Sequence, residues 1–218
     1  MTKKLLVTRP YHDINTEYLH SFAKGILKLV RTTKDIHATD LEGGKATRNQ
    51  VEKCLANENP GLVFLNGHGN RLVICGHRDE VIIDKSNINL TKGRIVYALA
   101  CDCLEELGVL AVQSGTEAFV GYRARFMIVK DSSRDTVPDK DKNVLPFKRA
   151  CSTLINALVF SNPVGKAIEL TKREYEHSIR SYGTSEDDPY GDTPLIRFAL
   201  AWDLEFLGME GDPEAFFK

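Results

Sequence analysis

Two short segments of this sequence carry residue types that could do chemistry together. One reads Asn-Gly-His-Gly-Asn over residues 66–70, the other reads Cys-Asp-Cys over 101–103, and each directly follows an apolar run. A cysteine thiolate is a strong nucleophile, and histidine is the side chain best suited to moving a proton near neutral pH. We therefore single out His68 and Cys101 as a candidate catalytic pair.

The neighbours of this pair indicate how each group would act. Cys101 precedes a helix predicted from Leu104 to Val112, and the positive end of a helix dipole favours a thiolate. His68 would then be the acid that protonates a leaving amine. Gly69 has no side chain, so its backbone N–H can approach a substrate carbonyl closely. Together with the N–H of Cys101 it would form an oxyanion hole.

The surrounding elements predict how the two segments come together. Strands that are apolar throughout and joined by helices are typical of a parallel sheet covered on both faces. Ligands bind beyond the carboxyl ends of such strands, so residues 66–70 and 101–103 should face one crevice. The apolar runs lie at 4–8, 62–65, 94–100 and 118–122, and helical spacing occupies 15–30 and 47–56.

The remaining pattern predicts the rest of the architecture. Residues 72–83 indicate a small hairpin, and the polar stretch 131–146 indicates an exposed loop. Three helical stretches follow, at about 147–160, 163–181 and 193–207, with a Gly/Asp/Pro-rich break at 183–192. We expect one domain over residues 1–218, because the chain is too short for two comfortable ones. Its core would span about 1–130, followed by a helical C-terminal extension of about 147–218.

The order of these segments also carries a family resemblance. An apolar strand ending in His-Gly, followed by an apolar strand ending in Ala-Cys, resembles the signature of the clan CD cysteine peptidases. These include caspases, legumains, gingipains, separases, clostripain and the CHAT proteins. The resemblance extends over about residues 1–130, and residues 118–122, Ala-Phe-Val-Gly-Tyr, are similar to the strand after the cysteine in gingipain- and CHAT-like members.

The resemblance implies a fold and an activity. The fold would be a caspase-like three-layer sandwich, an α/β fold with a mostly parallel sheet and helices on both faces. The activity would be that of an endopeptidase acting through a thioester on a protein or peptide substrate, with no cofactor. His68 and Cys101 would form its catalytic dyad.

Two acids are candidates for substrate binding. In clan CD peptidases, residues near the end of the first strand help to shape the specificity pocket. An acid at Asp13 would therefore favour a substrate Arg or Lys by charge pairing. Asp13 is also well placed to cap the helix beginning near Asn15, and this structural role is the preferred interpretation. Asp102, beside the nucleophile, is the second candidate acid.

Other interpretations stay open. A catalytically silent member of the class would serve as an interaction module. Cys101, Cys103, His68 and His77 could instead ligate zinc, but the usual Cys-x-x-Cys and His-x-x-x-His pairs are missing. A redox role for Cys101 and Cys103, or a backup role for Cys103, is a further alternative. We expect no metal site, and His12 and three other histidines look like surface residues.

Composition excludes several classes of protein. With a formal net charge of -1, the 218-residue chain gives no electrostatic reason for a nucleic-acid or anionic-membrane partner. No apolar run approaches the roughly 20 residues that cross a bilayer. The five cysteines are odd in number and irregularly spaced, which indicates reduced thiols. We expect a cytoplasmic protein, and leave its oligomeric state open.

Overall fold

The strands of the molecule form one large sheet and one small hairpin. The computed structural model describes residues 2–135, 137–181 and 192–218. The strands are β1 (Lys3–Arg9), β2 (Ile36–Glu42), β3 (Leu62–Asn66), β4 (Ile74–Cys75), β5 (Val81–Ile83), β6 (Ile95–Leu99), β7 (Ala118–Tyr122) and β8 (Leu207–Gly211). The sheet has the order β2-β1-β3-β6-β7-β8, while β4 and β5 pair separately. All its neighbouring strands are parallel except β8, which runs antiparallel to β7.

Helices cover both faces of the sheet. Because side chains alternate along a strand, Leu5 and Val7 of β1 enter one core cluster and Leu6 enters the other. The helices are α1 (Ile14–Thr32), α2 (Arg48–Asn57), α3 (Leu107–Gln113), α4 (Leu145–Val159), α5 (Val164–Ser181) and α6 (Thr193–Phe206). The cluster with Leu5 and Val7 contains residues of α1, α4, α5 and α6, and the cluster with Leu6 contains residues of α2 and α3.

The register of the central strands positions the two chemistry-bearing segments. Every residue of β3 and β6 is buried, which is expected of strands covered on both faces. The parallel register pairs Asn66 at the end of β3 with Leu99 at the end of β6. The segments after these strands therefore emerge side by side at the same edge of the sheet.

The architecture confirms the predicted fold class, a three-layer α/β sandwich with a mostly parallel sheet. The sequence patterns did not reveal β2, or β8 after α6, and these strands form the two edges of the sheet. The break predicted at 183–192 lies outside the described residues, apart from Asp192. The division into a core and a C-terminal extension stays a prediction.

Across the described ranges, no helix combines the length and the apolar character needed to cross a membrane.

Candidate active site

The loops after β3 and β6 pack directly against each other. The Gly67 N–H donates to the carbonyl of Leu99 at 3.4 Å. A methyl group on Gly69 would lie 2.9 Å from the Cβ of Ala100 and 3.0 Å from the carbonyl oxygen of Val73. Only glycine fits there without displacing its neighbours. The contact places the His-Gly segment next to the cysteine segment, as the sequence predicts.

His68 and Cys101 line the same cleft at this edge of the sheet. The cleft encloses about 320 Å³, and α1 contributes Asn15 and Leu19 to it. Residues 125–128, which follow β7, also line the cleft. The two predicted catalytic residues are therefore brought to one opening rather than to opposite faces of the sheet.

Asp13 connects helix α1 to His68. Its Oδ1 accepts a hydrogen bond from the N–H of Thr16 at 2.8 Å, which caps the first turn of α1. Its Oδ2 lies 2.6 Å from Nε2 of His68. Burial would raise the pKa of Asp13, but the hydrogen bonds from Thr16 and His68 outweigh burial and lower this pKa to about 2. Asp13 is thus both the predicted cap and a partner of His68.

Cys101 is a half-buried thiol whose pKa is raised, chiefly because burial disfavours the thiolate. A hydrogen bond from the backbone of Phe126 opposes this effect. The helix predicted to begin at Leu104 begins instead at Leu107. Residues 102 and 104 first donate to the carbonyls of Ala124 and Tyr122, so the chain turns before it becomes helical. The helix therefore does not begin directly after Cys101, where its dipole would favour the thiolate.

Cys103 points away from the cleft into the core. Its side chain is 0% exposed, and its Sγ lies 3.4 Å from the carbonyl oxygen of Ala100. Burial raises the pKa of Cys103 to about 12. Cys101 and Cys103 are both free thiols. These observations leave Cys103 without access to a substrate at the cleft.

The other predicted site residues take distinct positions. Among the described residues, the backbone N–H groups of Gly69 and Cys101 donate to no backbone carbonyl, so both remain available to an oxyanion. Asp102 has φ of 55°, in the left-handed region, at the turn after Cys101. It does not line the cleft. Its predicted role in substrate binding stays untested.

A second histidine, His12, which the sequence predicts to be a surface residue, lies beside Asp13 and His68. Its Nε2 lies 3.8 Å from Oδ2 of Asp13, and its ring centroid lies 6.0 Å from that of His68. These three residues are the one group of metal-ligating side chains found together within the described ranges. The predicted zinc set of Cys101, Cys103, His68 and His77 is not brought together. In the sequence, only the position of His12 next to Asp13 links this histidine to the site.

Comparison with known proteins adds evidence on the fold. No protein-family model and no curated protein matches the chain. Among solved structures, 15 chains match, including the "Complex of Porphyromonas gingivalis RgpB pro- and mature domains" with a TM-score of 0.58 at 10% sequence identity. That match covers 99% of this chain and 48% of the RgpB chain, so this chain spans about half of its length. The chain has the caspase-like α/β fold, which the gingipains share.

Proposed function

We propose that this chain is a cysteine peptidase in which Cys101 is the nucleophile and His68 carries the proton. The observation that supports the proposal most strongly is the shared cleft, which both residues line while the Asp13 carboxylate holds His68. Nucleophile, proton carrier and orienting group are the three parts of an activated-thiol site.

The proposed reaction follows from which ring nitrogen is free. Because Nε2 of His68 donates to Asp13, Nδ1 is left to accept the thiol proton of Cys101. The sulfur then forms a bond to the substrate carbonyl carbon, and the resulting oxyanion accepts hydrogen bonds from the amides of Gly69 and Cys101. His68 returns the proton to the leaving amine as the C–N bond breaks. Water next hydrolyses the thioester, with His68 as its base.

Asp13 contributes by positioning rather than by touching the substrate. Both of its carboxylate oxygens are already engaged, one by the Thr16 N–H and the other by His68. With a pKa of about 2 it stays ionised at neutral pH and stabilises the imidazolium that forms during the reaction. The proposed role is orientation of the His68 ring and selection of its tautomer.

The charges around the cleft bear on which substrate side chain it would accept. The cleft-lining residues include the cations Arg125 and Lys130 and no carboxylate. This charge does not favour a substrate Arg or Lys, and Asp13 has no free oxygen to recognise one. The predicted preference for basic substrate residues therefore has little support. Cleavage of peptides with different residues before the scissile bond would measure the preference directly. All five cysteines are free thiols, and a cytoplasmic location stays a prediction.

The proposal is tested by turnover of fluorogenic peptides that carry basic, acidic or apolar residues before the scissile bond. Wild type should cleave at least one peptide, and Cys101→Ala should lose at least about 10⁴-fold in kcat/KM. The matched variant Cys103→Ala should keep its rate within a few-fold, because that thiol is buried. Folded wild type that cleaves no member of the panel would instead favour the silent interaction module.

A further inference from the structure

His12, Asp13 and His68 form a compact group of nitrogen and oxygen donors at the edge of the cleft. One ligand atom from each side chain lies within 4.8 Å of the other two. The separations from Oδ2 of Asp13 are 2.6 Å to Nε2 of His68 and 3.8 Å to Nε2 of His12. We propose that this group binds a single zinc-like divalent cation, and that the bound ion reversibly inhibits the peptidase site.

The spacing of the donors suits such an ion after small movements. Zn–N bonds of about 2.0–2.1 Å in a tetrahedron place neighbouring ligand atoms roughly 3.3 Å apart. The separation between Asp13 and His68 is shorter than this value, and the separation between Asp13 and His12 is longer. Inserting the ion would replace the hydrogen bond between Asp13 and His68 and draw His12 closer. Two imidazoles with a carboxylate favour zinc over magnesium or calcium, which prefer oxygen ligands.

Solvent can reach the donors, and a fourth ligand is at hand. The side chains of His12, Asp13 and His68 are 11%, 38% and 35% exposed, so an ion can enter without unfolding the loop. Oδ1 of Asp79 lies 3.3 Å from Nε2 of His12 on the outer side of the group. Either this carboxylate or water can complete the coordination.

The inhibitory effect follows from the proton positions on His68 and rests on the proposed function. In the active form, Nε2 carries a proton toward Asp13 and Nδ1 offers a lone pair to the Cys101 thiol. When the ion takes the lone pair of Nε2, the remaining ring proton resides on Nδ1. The ring then has no lone pair to accept the thiol proton, and Cys101 is not activated. Removing the ion restores the original tautomer.

Metal binding is tested without relying on turnover. Cys101→Ala protein, which lacks the cleft thiol, is titrated with Zn²⁺ against a chromogenic chelator under reducing conditions. We expect one bound equivalent, and at least a tenfold weaker affinity when His12→Gln is added. The matched control adds His37→Gln instead, at an exposed position of β2. Its zinc affinity should stay within twofold of that of Cys101→Ala. No binding, or equal affinity in all three proteins, would overturn the proposal.

Two further measurements separate this proposal from the proposed function. Zn²⁺ should raise the thermal unfolding midpoint of Cys101→Ala but not of its His12→Gln derivative, and metal-free midpoints should agree if both are folded. In wild type, Zn²⁺ should inhibit turnover, a chelator should restore it, and His12→Gln should raise the inhibitory concentration at least tenfold. Zinc bound without inhibiting an active enzyme would overturn the inhibitory role. A wild type without turnover overturns the proposed function, while the titration still decides the metal site.

Discussion

Asp13 and Asp203, which each form a hydrogen bond with a cleft-lining residue, have opposite environments. Asp13, at the rim, is half-exposed and partnered, and its pKa falls to about 2. Asp203 of α6, on the buried side, is 0% exposed, and burial raises its pKa well above the usual value. Its Oδ1 accepts from the N–H of Met127, a cleft-lining residue, at 2.9 Å, and its Oδ2 has no hydrogen-bond partner among the residues that the structure describes.

The two thiols near the cleft differ in the same way as the two aspartates. Cys101 reaches the cleft, while Cys103 is enclosed by the core. We use rim for Asp13, His68 and Cys101, and floor for the buried groups Cys103 and Asp203. Cys103 belongs to the second core cluster, whereas Asp203 lies on α6, which packs in the first. Rim groups can serve chemistry because they reach the opening. Floor groups support the loops that line the cleft. Variants at the rim should therefore change the rate, and variants at the floor should change stability.

The largest expected effect belongs to the proton carrier at the rim. His68→Asn should lower kcat/KM by about 10⁴-fold, because the thiol of Cys101 then has no base and the leaving amine has no acid. Its free energy of unfolding should stay close to that of wild type, since the ring is partly exposed. Peptide turnover and urea denaturation check the two parts. A variant that keeps most of the wild-type rate would remove His68 from the mechanism.

A smaller effect is expected at the orienting acid. Asp13→Asn keeps an oxygen that can accept from the Thr16 N–H, so the helix cap survives. An amide NH₂ in place of Oδ2 cannot accept from Nε2 of His68, which disfavours the productive tautomer. The rate should fall roughly 10²-fold, at the lower end of what a positioned proton carrier contributes. A large loss of thermal stability with little change in kcat would indicate that Asp13 acts only as a cap.

At the floor we expect an effect on stability rather than on rate, and it depends on pH. The unfolded chain ionises Asp203 near its ordinary pKa of 3.8, whereas the folded protein keeps it protonated to a higher pH. The contribution of Asp203 to the free energy of unfolding is therefore constant below about pH 4. Above that pH it falls by about 1.4 kcal/mol per pH unit until the folded pKa is reached. Asp203→Asn does not ionise, so its stability relative to wild type should increase over that range. Parallel stability curves for the two proteins would contradict this account.

The sequence predicts the central strands and the pairing of loops, but not the sheet edges. Strand β6 is apolar throughout, β3 is apolar up to its last residue, and glycine follows the end of β3, so their pattern is clear. Edge strand β2 reads Ile-His-Ala-Thr-Asp-Leu-Glu and is only partly buried. Strand β8 contains Gly208 and Gly211, which weaken any strand signal, and it becomes a strand by pairing with β7. Tertiary pairing, rather than local pattern, creates both edges.

The rim was only partly predictable for a similar reason. His68, Gly69 and Cys101 directly follow clear strands, so the topology of a parallel sheet brings them together. The contact of Asp13 with His68 joins residues far apart in the chain, and a helix cap already accounts for an aspartate at that position. His12 carries no pattern of its own. Such contacts depend on how α1 packs beside the strand ends, which local sequence does not encode.

The central claim is that Cys101 is an accessible, histidine-activated thiol while Cys103 is inert. The most direct test is to treat the folded wild-type protein with a peptidyl acyloxymethyl ketone and to locate the adduct by mass spectrometry of its fragments. The account predicts a single adduct on Cys101 that is absent from His68→Asn protein treated in the same way. An adduct on Cys103, or labelling of Cys101 that does not depend on His68, would contradict it.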